Sequence, residues 1–358
     1  MDNSQTRRPT IKDVAKAANV SHSTVSYILN NTLHAERISK QTKQRVWAAV
    51  QRLGYRSNPI GRDLQRGYTN QVTLLIVSWN LATSHAATAM AISRAAIERG
   101  LELNVHVADS DQEAEAFLKR QLVHSQGGIL VLWDSPALDE SCLRQSAALG
   151  VPVVNLLPDP SLGVSVVTAD REDAGLRATQ YLIALGHKRI GVICDLDTRP
   201  KTTLRKLNGY RRALADAGIR NDPKLIESVT AFGFEGGYLG YPKIMARCPD
   251  TTGLFCINDS MALGAIQAAT EKGQKCPDDI SVIGFGDSPE GGYWRPKLTT
   301  FSLSSDRVAA GAIAKILELR KNVNQKPETI LIPEDLLIRN STGPAPLSRG
   351  VRTRLTAK

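Results

Sequence analysis

Residues 10–30 read TIKDVAKAANVSHSTVSYILN, and the way this stretch distributes its apolar residues decides how the chain begins. Ile11, Val14, Ala15 and Ala18 recur at helical spacing after Thr10, whose hydroxyl suits an N-cap. The break at Asn19-Val20-Ser21 interrupts the period. A second helical pattern then turns Val25, Ile28 and Leu29 inward before the polar loop from Asn30 to His34. Two short helices joined by a tight turn result. Working outward, a third helix is expected from Ser39 or Gln41, with Val46, Val50 and Leu53 on one stripe and Gly54 as its stop. Three such helices can close one miniature core.

From Val72 onward short apolar runs alternate with helix-length amphipathic stretches. The runs fall at 72–77, 101–107, 128–132, 151–156, 189–194, 253–257 and 280–285. This alternation predicts an α/β body with mainly parallel sheets, and its length predicts two lobes. With 358 residues, 42% hydrophobic and 22% charged, the chain has the composition of an ordinary globular protein of more than one domain. Five cysteines (142, 194, 248, 256 and 276) with no CxxC pair argue against a disulfide framework or a zinc site. No apolar stretch follows Arg7 and Arg8, and no run approaches the roughly 18 apolar residues of a membrane span. A reducing cytoplasm is the expected home, with no membrane partner.

The net charge of +10 is terminal. Residues 1–69 hold 12 Lys and Arg against 4 Asp and Glu, residues 344–358 hold four basic side chains and no acid, and the middle carries −2. A basic head on a near-neutral body suits a phosphate-contacting module attached to something else. The tail at 344–358, rich in Pro, Ser and Arg, reads as disordered.

The D-V-A at 13–15, the V-S turn at 20–21, T-V-S at 24–26 and L-N at 29–30 together resemble the helix-turn-helix of the LacI/GalR family of bacterial transcriptional regulators. The resemblance continues through Ile38-Ser39, Thr42 and Leu53-Gly54-Tyr55. It covers almost the whole body, at Asp170 to Gly175, Leu185 to Ile190, Asn258 to Gly264, Leu298 to Thr300 and Arg339 to Thr342. It implies a small all-α helix-turn-helix head at 1–56 and a hinge helix at 57–69. An α/β body at 70–343 would follow, of two Rossmann-like lobes in the periplasmic-binding-protein type I fold. Three crossings would join the lobes, the first built from about 70–168 and 298–322 and the second from about 169–297 and 323–343.

On that resemblance the helix after Ser21 is the recognition helix, with His22, Ser23, Tyr27 and Ser26 facing base edges in the major groove. Thr10, Ser21, Thr24, Ser39 and Thr42 sit at helix starts or turns, where a hydroxyl either caps the helix or meets a phosphate. Asn30 closes the motif. Most members carry arginine where this chain has Tyr27, so the usual bidentate contact to guanine is unavailable and the operator should differ. A tyrosine there can pack on a thymine methyl or bond a phosphate. The loop from Asn30 to Arg37 is also longer than in the family's type member. In the hinge, Asn58 is the expected N-cap, and the leucine matching Leu64 wedges into the minor groove in the family. Gly61 stands where alanine is usual, which costs about 1 kcal/mol of helix propensity.

In the body the resemblance places a small molecule in the interlobe cleft, near Trp79, His85, Lys206, Phe232, Asn258 and Asp287. Three departures bear on its chemistry. Lys206 replaces the usual arginine and lacks its planar fork. Gly286 replaces the first aspartate of G-F-D-D in many sugar-binding members, and Leu157 lies where some carry a polar residue. The expected function is a repressor: a homodimer reading an inverted-repeat double-stranded DNA operator, controlled by a sugar or sugar-like effector. The alternatives are a regulator with a degenerate cleft, or a solute-binding or sugar-handling protein on the same body. HExxH, GxSxG, P-loop and paired-acid patterns are not found in a convincing setting, so no enzymatic activity, cofactor or metal is expected.

Overall fold

The structure is a computed structural model that describes residues 9–29, 33–55, 69–77, 83–121, 127–133, 140–157, 163–196, 200–231, 233–302, 304–322 and 325–346. The chain divides into two compact units, 1–69 and 70–358.

In the first unit α1 (Ile11–Ala18) and α2 (His22–Leu29) are joined by a turn in which Asn19 takes the left-handed conformation, φ 53°. Asparagine tolerates that region better than most residues. A one-turn helix α3 (Leu33–Glu36) begins inside the expected polar loop, and α4 (Lys40–Leu53) runs from its Ser39 cap to left-handed Gly54. Val14, Ala15, Ala18, Val25, Ile28, Val46 and Ala49 close the core, with Ile11, Leu29, Val50 and Leu53 against it. Each fully buried valine contributes about 1.5–3 kcal/mol. In so small a core the loss of one is a large share of the stability.

The second unit begins with β1 (Gln71–Val77), α5 (Thr83–Glu98), β2 (Glu102–Ala108), α6 (Asp111–Gln121), β3 (Ile129–Trp133), α7 (Glu140–Ala148), β4 (Val153–Asn155) and β5 (Ser165–Ala169). After the first crossing come α8 (Arg171–Ala184), β6 (Ile190–Cys194), α9 (Pro200–Asp216), β7 (Ile226–Ser228), α10 (Phe234–Arg247) and β8 (Gly253–Cys256). The same lobe continues with α11 (Asp259–Glu271), β9 (Ser281–Ile283), α12 (Pro289–Tyr293) and β10 (Thr300–Phe301). The chain returns through α13 (Ser305–Lys321) and β11 (Thr329–Ile332), then crosses again to β12 (Leu336–Leu337).

The first lobe is a six-stranded sheet in the order β11-β5-β4-β3-β1-β2, and the second a four-stranded sheet in the order β7-β6-β8-β9, parallel at every pairing. Helices cover both faces of the first sheet. Ile92, Ala96, Ile313 and Ile316 of α5 and α13 belong to the core on one side, and Phe117, Leu118 and Leu143 of α6 and α7 to the core on the other. That is why β3 reads ILVLW, buried at every position.

The lobe boundaries need correction at the second and third crossings. Leu298 and Phe301, expected with the first lobe, are buried in the core of the second, where Thr299 bridges Ile283. Residues 329–332, expected with the second lobe, pair with Val166–Ala169 at the edge of the first sheet. That strand's apolar run, Ile330-Leu331-Ile332, is only three residues long, and the sheet it joins is set by the distant strand it pairs with. Residues 344–346, assigned by composition to a disordered tail, are docked: Ala345 N–H donates to the Leu185 carbonyl at 2.8 Å. His187 secures the same segment, its Nε2 lying 3.1 Å from the Gly343 carbonyl oxygen and its Nδ1 2.9 Å from the Thr252 hydroxyl. Burial holds its pKa below the usual histidine value.

Candidate nucleic-acid interface and ligand cleft

In the head, burial of Val25 and Ile28 fixes the rotation of α2 and leaves His22, Ser23 and Tyr27 exposed, with Ser26 half-buried beside them. At 3.6 residues per turn these four share one side. Ser21 caps the helix: its Oγ accepts the Thr24 N–H at 3.1 Å and lies 2.9 Å and 2.8 Å from the Ser23 and Thr24 hydroxyls. Ser39 does the same for α4, accepting the Thr42 N–H at 3.2 Å with the two hydroxyls 2.9 Å apart. Thr10 donates both its N–H and its hydroxyl to Asp13, each at 2.7 Å. The Ser21 and Ser39 hydroxyls therefore cap helices in the protein by itself, and at Thr10 the Asp13 carboxylate takes up the N–H; a phosphate would share or displace these bonds. The Tyr27 ring lies 5.0 Å from that of His34 on α3, a neighbour the sequence reading did not single out. Asn30, Asn58 and Leu64 lie outside the described residues.

In the body, Lys206 is 5% exposed and donates from Nζ to the Ile257 carbonyl at 2.8 Å. Its ammonium stands 3.6 Å from the centre of the Phe285 ring, and the Arg171 guanidinium lies 4.7 Å from the same centre. Two cations over one aromatic ring are held by its quadrupole. Arg171 also binds Glu334 at 2.7 Å, and Arg177 donates to the Glu334 backbone carbonyl at 2.7 Å. Glu334 is only 1% exposed, and burial pushes its carboxyl up to about 6 against the opposing pull of Arg171 and Lys206. Asn258 caps α11, its Oδ1 accepting the Met261 N–H at 2.7 Å. Three buried polar atoms of this group, Asn258 Nδ2, Arg171 Nε and Glu334 Oε2, have no hydrogen-bond partner among the described residues.

Asp259 is buried, which raises its pKa, while hydrogen bonds from the Thr300 hydroxyl at 2.5 Å and the Ser288 N–H at 2.6 Å oppose that shift. Asp287, at φ 50°, binds Arg339 at 2.5 Å. It lines a cavity of about 340 Å³ with Gly286, Ser302, Ser305, Arg307 and Asp335. Arg307, just after the second crossing, reaches Asp335 in the third at 2.6 Å. Lys206, Asn258 and Asp287 are thus all placed around the loop from Phe285 to Asp287. Trp79 and Phe232 lie outside the described residues. His85 is on α5, its side chain outside the description. The sequence reading missed Arg171, Glu334, Arg307 and Asp335; their signal was a pair of acids, Glu334-Asp335, set between Ile332-Pro333 and Leu336-Leu337.

Among the described residues no group of three or more His, Cys, Asp or Glu could hold a metal ion, and no helix is long and apolar enough to cross a membrane. All five cysteines are free thiols.

Two family descriptions match the chain: "Bacterial regulatory proteins, lacI family" over residues 10–58 and "Periplasmic binding protein-like domain" over residues 179–342. The HTH-type transcriptional repressor PurR of Haemophilus influenzae (strain PittEE) is 32% identical over 93% of this chain and 98% of its own. The structure of the transcriptional regulator CelR in complex with cellobiose is 26% identical, with a TM-score of 0.68 over 93% of this chain and 100% of that one. The lac repressor dimer bound to operator and the anti-inducer ONPF is 23% identical, with a TM-score of 0.79 over 94% and 100%. That last likeness shows the fold.

Proposed function

This chain belongs to the lacI family of bacterial regulatory proteins and is a DNA-binding transcriptional regulator, and from that premise we propose that it is a homodimeric repressor of an inverted-repeat operator, released or engaged by a small polyhydroxylated effector. The observation that carries the reading is the outward face of α2. His22, Ser23 and Tyr27 are left exposed by a helix whose other side is locked into the head's core. A two-fold protein requires two related half-sites, so the operator is a palindrome. Bacterial operators are reached from the cytoplasm, which places the protein there.

The cleft favours an effector over a ligand-independent body. Buried polar groups in native proteins are nearly always paired, yet Asn258 Nδ2, Arg171 Nε and Glu334 Oε2 offer two donors and one acceptor without partners among the described residues. The open pocket beside Asp287, with its serines, aspartates and arginine, suits hydroxyls over apolar surface. The cellobiose complex of the CelR relative points the same way. The proteins it resembles are repressors and regulators, which favours regulation over catalysis.

The test is selection of operators from a random duplex library by the full-length protein at near-physiological salt, with and without a mixture of free nucleobases and mono- and disaccharides. The expected result is a palindrome whose enrichment changes with one of the saccharides, and a change with a nucleobase alone overturns the polyhydroxylated effector. Salt-sensitive binding with no enrichment under either condition refutes the reading.

A further inference from the structure

Tyr27 on α2 and His34 on α3 are seven positions apart in the chain, and the structure brings their rings together. Tyr27 is on the outward side of α2 and 38% exposed. His34 belongs to α3, which Ala35, 3% exposed, anchors to the head, and the Ile38 N–H closes that turn on the Ala35 carbonyl at 3.1 Å. The residue before the anchor is exposed, and its imidazole meets the Tyr27 ring at a centroid distance of 5.0 Å and an interplanar angle of 38°. Rings at that separation attract. A tyrosine on a helix surface ordinarily exchanges among staggered rotamers, and a ring held from one side loses that freedom.

Beside His34 the Tyr27 residue keeps 38% of its surface exposed, on the outward side of α2 that an approaching duplex meets. The apolar feature that a major groove presents to an aromatic face is the C5-methyl of thymine. The phenolic hydroxyl could also reach a phosphate, a contact that adds affinity without sequence preference.

We propose that Tyr27 and His34 form one base-reading unit, in which Tyr27 packs its exposed ring on a thymine methyl in each half-site and His34 is the positioning residue that holds the ring there. This rests on the reading of the head as operator-binding. Removing the methyl tests it directly, because uracil keeps every hydrogen-bonding group of thymine and lacks only that carbon.

Full-length wild type and the variants His34→Ala, His34→Phe and Tyr27→Phe are titrated against the selected operator and against duplexes with uracil replacing each thymine in turn. Thermal melts confirm folding of each variant, and an unrelated duplex reports non-specific affinity. Wild type loses about fourfold per half-site at one thymine, the worth of one buried methyl. His34→Ala reduces that loss to within about twofold with unchanged affinity for the unrelated duplex, whereas His34→Phe and Tyr27→Phe retain it. Retention of the uracil effect in His34→Ala overturns the proposal. So does a Tyr27→Phe variant weakened equally on every duplex, which assigns the residue to phosphate. An operator insensitive to uracil at every thymine overturns this inference alone, while a wild type that selects no operator overturns the reading of the head and this inference with it.

Discussion

Glu334 has left its ordinary state: it is buried, carries one oxygen with no partner among the described residues, and titrates at about 6 because loss of water outweighs the pull of two cations. Between its ordinary value of 4.5 and about 6 the folded chain keeps a proton that the unfolded chain has released. Its contribution to stability is therefore present below pH 4.5 and is lost as pH rises through about 6. The shift corresponds to on the order of 2 kcal/mol. Urea melts of wild type and Glu334→Gln should show the wild-type advantage shrinking by about that amount between pH 4.5 and 7, since glutamine cannot titrate. A difference constant across this range contradicts the account. Gly286 is a second residue whose meaning the backbone supplies. At φ 133° it adopts a conformation that side-chain-bearing residues rarely take, so an aspartate there would be strained. The missing carboxylate goes with a local backbone shape, which a one-letter departure did not reveal.

At the scale of elements, α8 and α9 approach so closely that a Cβ on Gly209 would stand 2.0 Å from the Glu172 carbonyl oxygen, and one on Gly175 2.1 Å from that of Lys206. The second helix pair of the same lobe repeats the device, with Gly237 against Met261 and Gly264 against Phe234. The contact partners are backbone, so they cannot step aside as a side chain would. Gly209→Ala should cost about 3 kcal/mol by chemical denaturation, and it should shift α9, which carries Lys206 to Phe285. A neutral effect would mean the helices separate freely. Gly175 and Gly264 were legible as motif positions, and the strands 72–77, 128–132 and 253–257 were legible from apolar runs, because burial on both faces writes itself as continuous hydrophobicity. Strands β5, β7, β10, β11 and β12 were not read from the sequence. β5 is interior and buried throughout, but Ser165 and Thr168 interrupt its apolar run, and the others are short or at edges, held by the neighbour they pair with.

At the scale of the molecule, two lobes are joined at three crossings, and ion pairs tie those crossings to one another: Arg171 to Glu334, Arg307 to Asp335. An effector bound between the lobes can act on DNA affinity only if it binds one lobe arrangement better than another. The head's charge of +8 over residues 1–69 predicts strong salt dependence. For the proposed homodimer, sedimentation should give twice the chain mass, and log affinity for the selected operator should fall linearly with log salt concentration. A monomer that binds with a shallow slope would contradict both.

The spacing of Val14, Ala18, Val25 and Ile28 determined the head by itself, and the alternation of apolar runs determined an α/β body, because helices and buried strands are decided by local period. Thr10, Ser21 and Ser39 announced their caps for the same reason: a cap bonds to a residue three positions away. The tertiary structure alone decided that Tyr27 meets His34, that Arg171 and Lys206 share one ring, that Glu334 is buried, and where the chain crosses between lobes. Those facts depend on contacts between segments far apart in the chain or on the turn of a connecting loop, and no local pattern of residues encodes such a distance.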